Sequence, residues 1–306
     1  MRVVSIGECM VELRSTEPGR FQQSFGGDTL NTAVYMARLA APGALTIAYA
    51  TALGDDPFSD EMMAGWRAEG IETDLVARLP GRLPGLYVIA ADRHGERRFH
   101  YWRSAAAARD VFRTPMADRL ADRLGDADLV YLSGNSIAIL DEASRARLLD
   151  LLRSTRARVA FDSNYRPANW TSHEDARRWM AEIVRCCDIA LPTFEDEAAL
   201  FGDASPADTC TRLLALGVTE IVVKNGPSPC RIASSNGQQD VPAEVIGHPV
   251  DTTAAGDSFN AAYLVARLAG ATPVDAARRG HRLAAAVIQH RGAIIPRAGM
   301  PDTTTA

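Results

Sequence analysis

The stretch "VDTTAAGDSFNAAYL", Val250 to Leu264, turns from small and hydroxyl residues around two aspartates into an apolar pattern at helical spacing. Ala254, Ala255 and Gly256 are small enough for the backbone to approach a ligand, and they lead into a helix whose first-turn amides have no partner of their own. Such a helix start attracts anions through its N–H groups and its dipole. Asp257, placed at that positive end, is expected to stay ionised and to reach a hydroxyl bound nearby. A base beside an anion hole is what phosphoryl transfer to an alcohol requires. Taken alone, the same pattern also reads as a capped helix start whose acid stabilises the helix by about 0.3–1 kcal/mol.

Outward from this stretch, short β-branched runs alternate with longer amphipathic ones. "RVVSIGE" (2–8), "LTIAYATAL" (45–53), "LVYLSG" (129–134), "RVAFDS" (158–163), "DIALP" (188–192) and "EIVVKNG" (220–226) read as strands. Helical patterns run from Thr29 to Leu39, Ser59 to Glu69, Asp141 to Ser154, Glu174 to Arg185 and Ala207 to Leu216. Such alternation predicts parallel strands with crossover helices, and the near-continuous apolarity of the strands suits a sheet covered on both faces. Beyond them, 231–235 and 243–247 read as short strands, and 256–270 and 273–289 as long helices. One region breaks the alternation: "GLYVIAADRHGERRFHYW" (85–102) reads as a hairpin turning at Arg93 to Gly95. With the extended piece 12–25 it forms either a small lid sheet over the end of the parallel core or a surface ornament.

The chain has 306 residues, 47% hydrophobic and 23% charged, with a net charge of −5. That is ordinary globular composition without the bulk field that nucleic acid or acidic lipid calls for. Five cysteines without CxxC spacing suit reduced thiols in a cytoplasm, and neither an export signal nor an apolar run of membrane length is read. A short polar tail, 301–306, is expected to fray. The six histidines lack HExxH spacing, no GxGxxG follows the first strand, and no GxxxxGK[ST] occurs. Zinc, dinucleotide and P-loop readings therefore fall away.

The stretch "DTTAAGDSFNAAYL" resembles the C-terminal signature of the PfkB, or ribokinase-like, carbohydrate kinases, where DTxGAGD precedes this kind of helix. "FGGDTLNTAVYMARL" (25–39) is similar to their N-terminal Gly-Gly motif. The resemblance covers nearly the whole chain. It implies one domain, 1–306, with a three-layer α/β/α core, a mostly parallel sheet and a small β lid from about 12–25 and 85–102. Within the family, "GGDTLN", "LPGLYVI", "FHYWRSAAAA" and "DSNYRP" look most like members that phosphorylate 2-keto-3-deoxygluconate, an acidic sugar. By that resemblance Gly27, Asp28, Asn31, Tyr87, Tyr101, Arg103 and Arg166 line the sugar site, with Gly26 and Gly27 letting the chain approach the sugar. Asp257 is the base, and Ala254, Ala255 and Gly256 form the anion hole. ATP would meet Asn164, Lys224, Gly226, Ala255 and Gly256, Mg2+ would meet Glu197 through water, and a monovalent cation such as K+ would meet Asp251 and Thr253.

Elementary chemistry supports an acid sugar independently, since a carboxylate leaving water needs a cation and arginine holds it bidentately. In this arginine-rich chain Arg103 reads equally as a solvated strand charge, whereas Arg166 follows "DSN" at a strand end, where sites in open sheets gather. Three positions depart from the family pattern. Ala254 replaces a common glycine and is tolerable only without positive φ. Thr193 stands where many members have the asparagine of an NxxE motif, and Pro229 stands where a second glycine is common. Two other readings stay open: a PfkB kinase for fructose, ribose or 5-keto-2-deoxygluconate, and a non-catalytic sugar or nucleotide sensor. Exposed lid edges would suit a homo-oligomer.

Overall fold

The computed structural model describes residues 1–17, 19–91, 97–235 and 237–302. Strand β1 (Arg2–Ile6) is followed by β2 (Met10–Glu17), β3 (Arg20–Gly26), helix α1 (Asp28–Leu39), β4 (Thr46–Leu53), α2 (Pro57–Ala68), β5 (Ile71–Glu72), β6 (Val76–Arg78), β7 (Gly85–Ala91) and β8 (Arg97–Trp102). Next come α3 (Met116–Gly125), β9 (Leu129–Ser133), α4 (Gly134–Ala138), α5 (Glu142–Ser154), β10 (Arg158–Asp162), α6 (His173–Val184), β11 (Ile189–Ala190), α7 (Phe194–Phe201) and α8 (Pro206–Ala215). The chain then forms β12 (Glu220–Val223), β13 (Cys230–Ser234), β14 (Gly237–Val241), α9 (Ala255–Leu268) and α10 (Pro273–Val287).

The main sheet runs β14-β13-β12-β11-β10-β9-β1-β4-β5, with β6 beside β4. Its strands are parallel from β12 to β5, and β13 and β14 add an antiparallel edge. Successive residues of the inner strands point to opposite faces, and both faces are dry. Val130 and Leu132 pack with α3, α5 and α6 through Leu120, Leu148 and Ile183. Leu129 and Tyr131 pack with α1, α2, α9 and α10 through Leu30, Trp66, Tyr263 and Leu283. Burial on both sides is what the unbroken apolar runs require. The helices start where side chains can cap them. Asp56, Asp141, Ser172, Ser205 and Thr272 each accept from a first-turn amide, a contact worth typically about 1 kcal/mol.

The expected strand at 243–247 does not form. Instead β14 pairs with β13 directly beyond the turn, in the register Ser234↔Gly237. Pro242 follows β14, and its missing N–H ends the ladder. Val245 is then left 73% exposed.

A second sheet, β3-β2-β7-β8, stands apart from the first. It is built from the two pieces read as a lid, although β2 starts earlier, at Met10. The expected hairpin turn at Arg93 to Gly95 lies outside the described residues, as do positions 303–306 of the tail. The strands flanking the turn pair antiparallel from Leu86↔Trp102 to Ala91↔Arg97. Among the described residues no helix is long and apolar enough to cross a membrane.

Candidate active site

A pocket of about 510 Å³ lies between the small sheet and the carboxyl ends of β10 and β12. Tyr87, Phe99 and Tyr101 of the small sheet form one wall, with Tyr87 and Tyr101 ring centroids 5.8 Å apart. Asp162 and Asn164 approach from β10, Lys224 from β12, and Asp28 and Asn31 from α1. The loop from Thr252 to Asp257 closes the base.

That loop is held by Asp251, which accepts from the Thr253 amide at 3.1 Å, the Thr253 hydroxyl at 2.7 Å and the Gly292 amide at 3.0 Å. The chain then turns through Ala254 at φ 61°, a left-handed conformation. The sequence condition that Ala254 avoid positive φ is therefore not met, and alanine carries a strain of roughly 1–2 kcal/mol there. Asn164, at φ 31°, is the other non-glycine residue of positive φ among those described, and it too lines the pocket. The Ala255 amide turns back to the Thr252 carbonyl at 3.2 Å. Of the three amides expected to form an anion hole, that of Ala255 is thus taken, while among the described residues the amides of Ala254, Gly256 and Asp257 are given to no backbone carbonyl.

Asp257 sits where the loop becomes α9 and accepts from the Asn31 side-chain amide at 2.8 Å. Although it borders the open pocket, its carboxyl is ringed by protein. Burial, then the charges of Asp28 and Asp162, push it up to about 7, against the pull of Asn31 and Lys224. The expectation of a carboxylate firmly ionised by the helix dipole gives way to this crowding, because desolvation and like charges outweigh a terminal dipole. Asn31 Oδ1 is buried without a partner, so it can receive a ligand hydroxyl. Lys224 is buried and donates to Asp162 at 2.7 Å and to Asn260 at 3.1 Å. A Cβ at Gly256 would lie 3.3 Å from Lys224 Nζ, so glycine there leaves the ammonium open toward the anion hole.

The profile of the pfkB family carbohydrate kinases matches residues 1–298. The chain belongs to the PfkB carbohydrate kinases. It is 49% identical to a 2-dehydro-3-deoxygluconokinase from Dickeya dadantii (strain 3937), covering 98% of both chains. It is 47% identical to one from Escherichia coli (strain K12), covering 98% of this chain and 99% of that one. A solved PfkB protein from Polaromonas sp. JS666 superimposes with a TM-score of 0.83 at 26% identity, covering 97% of each chain.

Most of the residues that the PfkB resemblance pointed to meet in this pocket: Gly27, Asp28, Asn31, Tyr87, Tyr101, Asn164, Arg166, Lys224 and Thr253 to Asp257. Arg166 stands half-exposed at its edge, bonded to the Tyr165 carbonyl and, at 3.0 Å, to Asp196. Four of the expected positions, Arg103, Glu197, Gly226 and Asp251, stand outside its lining. Arg103 is ion-paired with Glu8 and faces a separate cavity of about 690 Å³, with Tyr101 between the two spaces. Glu197 is buried against Arg212 and does not line the pocket. Gly226, at φ 56°, shapes the turn after β12 without lining the pocket. Gly27 is needed for packing, since a Cβ there would meet the Glu8 carbonyl at 2.1 Å, and one at Gly26 would meet the Tyr87 hydroxyl at 2.6 Å.

Sequence reasoning missed Asp162 and Asn260. Asp162 ends an apolar strand, and Asn260 lies four residues past Gly256 on the buried face of α9. A polar residue inside an apolar run was the available signal. The Asp257 environment predicts a stability change with pH. The native carboxyl binds its proton more tightly than the unfolded one, so this group favours the fold below about pH 4, and the contribution is lost as pH rises to about 7. Asp257→Asn, neutral throughout, should gain on the parent across that window, by up to about 4 kcal/mol at pH 8. Thermal melts of both proteins from pH 4 to 8 measure this, and an equal difference at every pH would show a carboxylate already ionised at rest.

Proposed function

We propose that this sugar kinase transfers the γ-phosphoryl group of ATP to the terminal hydroxyl of 2-keto-3-deoxygluconate, giving the 6-phosphate. The observation that carries the reading is the Asp257 carboxyl, held by Asn31 at the start of α9 in a pocket whose edge bears the Arg166 guanidinium. The full-length relatives named 2-dehydro-3-deoxygluconokinase at 47% and 49% identity support the choice of sugar.

Asp257 takes the proton of the attacking hydroxyl, a role suited to a group that titrates near neutrality. Asn31 fixes the carboxyl orientation and offers Oδ1 to a sugar hydroxyl. The amides at Gly256 and Asp257, with the Lys224 ammonium, meet charge that develops on the transferred group. Arg166 meets the sugar carboxylate, and Tyr87 and Tyr101 cover the deoxy carbon with apolar ring faces. Closure of the small sheet as a lid excludes water from competing as acceptor.

Among the described residues no group of three ligating side chains could cage a metal. Mg2+ carried by ATP keeps several waters and needs only one or two carboxylates, and Asp28 at the pocket, held by the side-chain amides of Asn135 and Asn164, would supply one. Bound there, it would neutralise phosphate charge. Five unbridged cysteines support a cytoplasmic setting. A homo-oligomer through the small sheet is supported by Phe21, Phe99 and Trp102, which are 53%, 44% and 62% exposed.

The test is ADP release measured with 2-keto-3-deoxygluconate, fructose, ribose and 5-keto-2-deoxygluconate. The acid sugar should have the highest kcat/KM, by at least about tenfold. Arg166→Ala should then raise KM for the acid sugar by about tenfold or more and leave KM for ATP within about twofold. Preference for a neutral sugar would discard the substrate, and equal effects on both ligands would remove Arg166 from the sugar site.

A further inference from the structure

Arg14 projects from β2 of the small sheet and joins two buried carboxylates that belong to different parts of the molecule. One guanidinium nitrogen donates to Glu12 Oε1 at 3.1 Å. The other donates to Asp251 Oδ2 at 3.3 Å, and both acid side chains are at most 3% exposed. Glu12 also accepts from the Ser24 hydroxyl at 3.0 Å and from the Tyr87 hydroxyl, and Tyr87 lines the pocket. Asp251 holds the Thr253 to Ala254 turn from which the anion hole springs. Arg14 therefore stands in one unbroken chain of contacts from the sugar wall to the phosphate loop.

The same geometry bears on the monovalent cation expected at Asp251 and Thr253. Such an ion needs oxygen lone pairs. Here Asp251 Oδ1 faces two donors from Thr253, and Oδ2 faces the Gly292 amide and the guanidinium. The Thr253 hydroxyl donates to Asp251 and leaves only a neutral oxygen for an ion. A buried carboxylate surrounded by N–H and O–H donors and already countered by an arginine does not fit an added cation.

We propose that Arg14 is a positioning residue that supplies the positive charge at Asp251 from within the chain, so that K+ is not needed to hold the phosphate loop. This rests on the kinase reading of the pocket for its catalytic consequence but not for its ion chemistry.

The experiment compares wild type, Arg14→Ala and Arg14→Lys in KCl and in choline chloride at equal ionic strength, by melting temperature and by ADP release. Wild type should show the same melting temperature and the same kcat, within about twofold, in either salt. Arg14→Ala should lose about tenfold or more in kcat in choline chloride and recover at least several-fold in KCl, with a rise in melting temperature in KCl that wild type lacks. Arg14→Lys, which keeps the charge, should exceed Arg14→Ala in choline chloride. Wild type stabilised or activated by K+ more than about threefold over choline would overturn the proposal, as would full activity of Arg14→Ala in choline. If Arg14→Ala does not fold, Arg14→Lys and the wild-type salt comparison decide. Melting in the two salts reads the cation independently of which sugar is accepted, so failure of the substrate assignment and failure of the Arg14 assignment give different results.

Discussion

Three carboxyl groups, Asp28, Asp162 and Asp257, crowd around the amino end of one helix, and the arrangement of the site follows from keeping them there. Each has its own donor. Asn31 serves Asp257, Asn135 and Asn164 serve Asp28, and Lys224 with Asn260 serves Asp162. These donors come from α1, α4, the carboxyl end of β10, β12 and α9, so the sheet order and the two flanking helix layers bring the acids and their partners to one end. The amide donors of Asp28 stabilise it without cancelling its charge, and Lys224 only partly offsets Asp162, so burial and the two neighbours still push the Asp257 carboxyl upward. A group titrating near neutrality is the chemical result.

Lys224 is the only lysine among 33 basic residues. The surroundings explain why arginine, used everywhere else, is absent here. Lys224 is 7% exposed, and its ammonium bonds to Asp162 and Asn260 and lies 3.3 Å from the Cβ position of Gly256. A planar guanidinium fork is wider than that space, whereas a compact point charge with three donors fills it. The arginines act where their breadth is useful, as at Arg14, which spans two acids, and Arg145, which donates to the Ile137 and Ala138 carbonyls and to Asp175.

The parallel core was legible because strands buried on both faces must be apolar throughout, and because most crossover helices show helical patterning between them. Helix α3 escaped notice: its apolar stripe is only Ala117, Leu120 and Leu124 within a run of Arg and Asp. The strand expected at 243–247 was misread because β-branched residues there lack a partner strand, a fact of tertiary pairing rather than propensity. In the site, most residues carried by contiguous motifs come together in one pocket. The partners of charged positions were not legible: Arg103 meets Glu8, Glu197 meets Arg212, and Arg14 meets Asp251. Charge type can be read along a chain, but the partner of a charge is decided by the fold. Ala254 is the same lesson for the backbone, since its left-handed turn is imposed by the Asp251 anchor on one side and α9 on the other.

The central claim is that carboxyl crowding sets the base. It is tested most directly by the pH dependence of kcat/KM for the acid sugar, which reports groups of the free enzyme. The account predicts a rise with pH through a limb near pH 7 that belongs to Asp257, and a limb displaced to lower pH in Asp28→Asn, where the strongest repelling charge is gone. A profile flat down to about pH 5, or a limb that Asp28→Asn leaves in place, would contradict it.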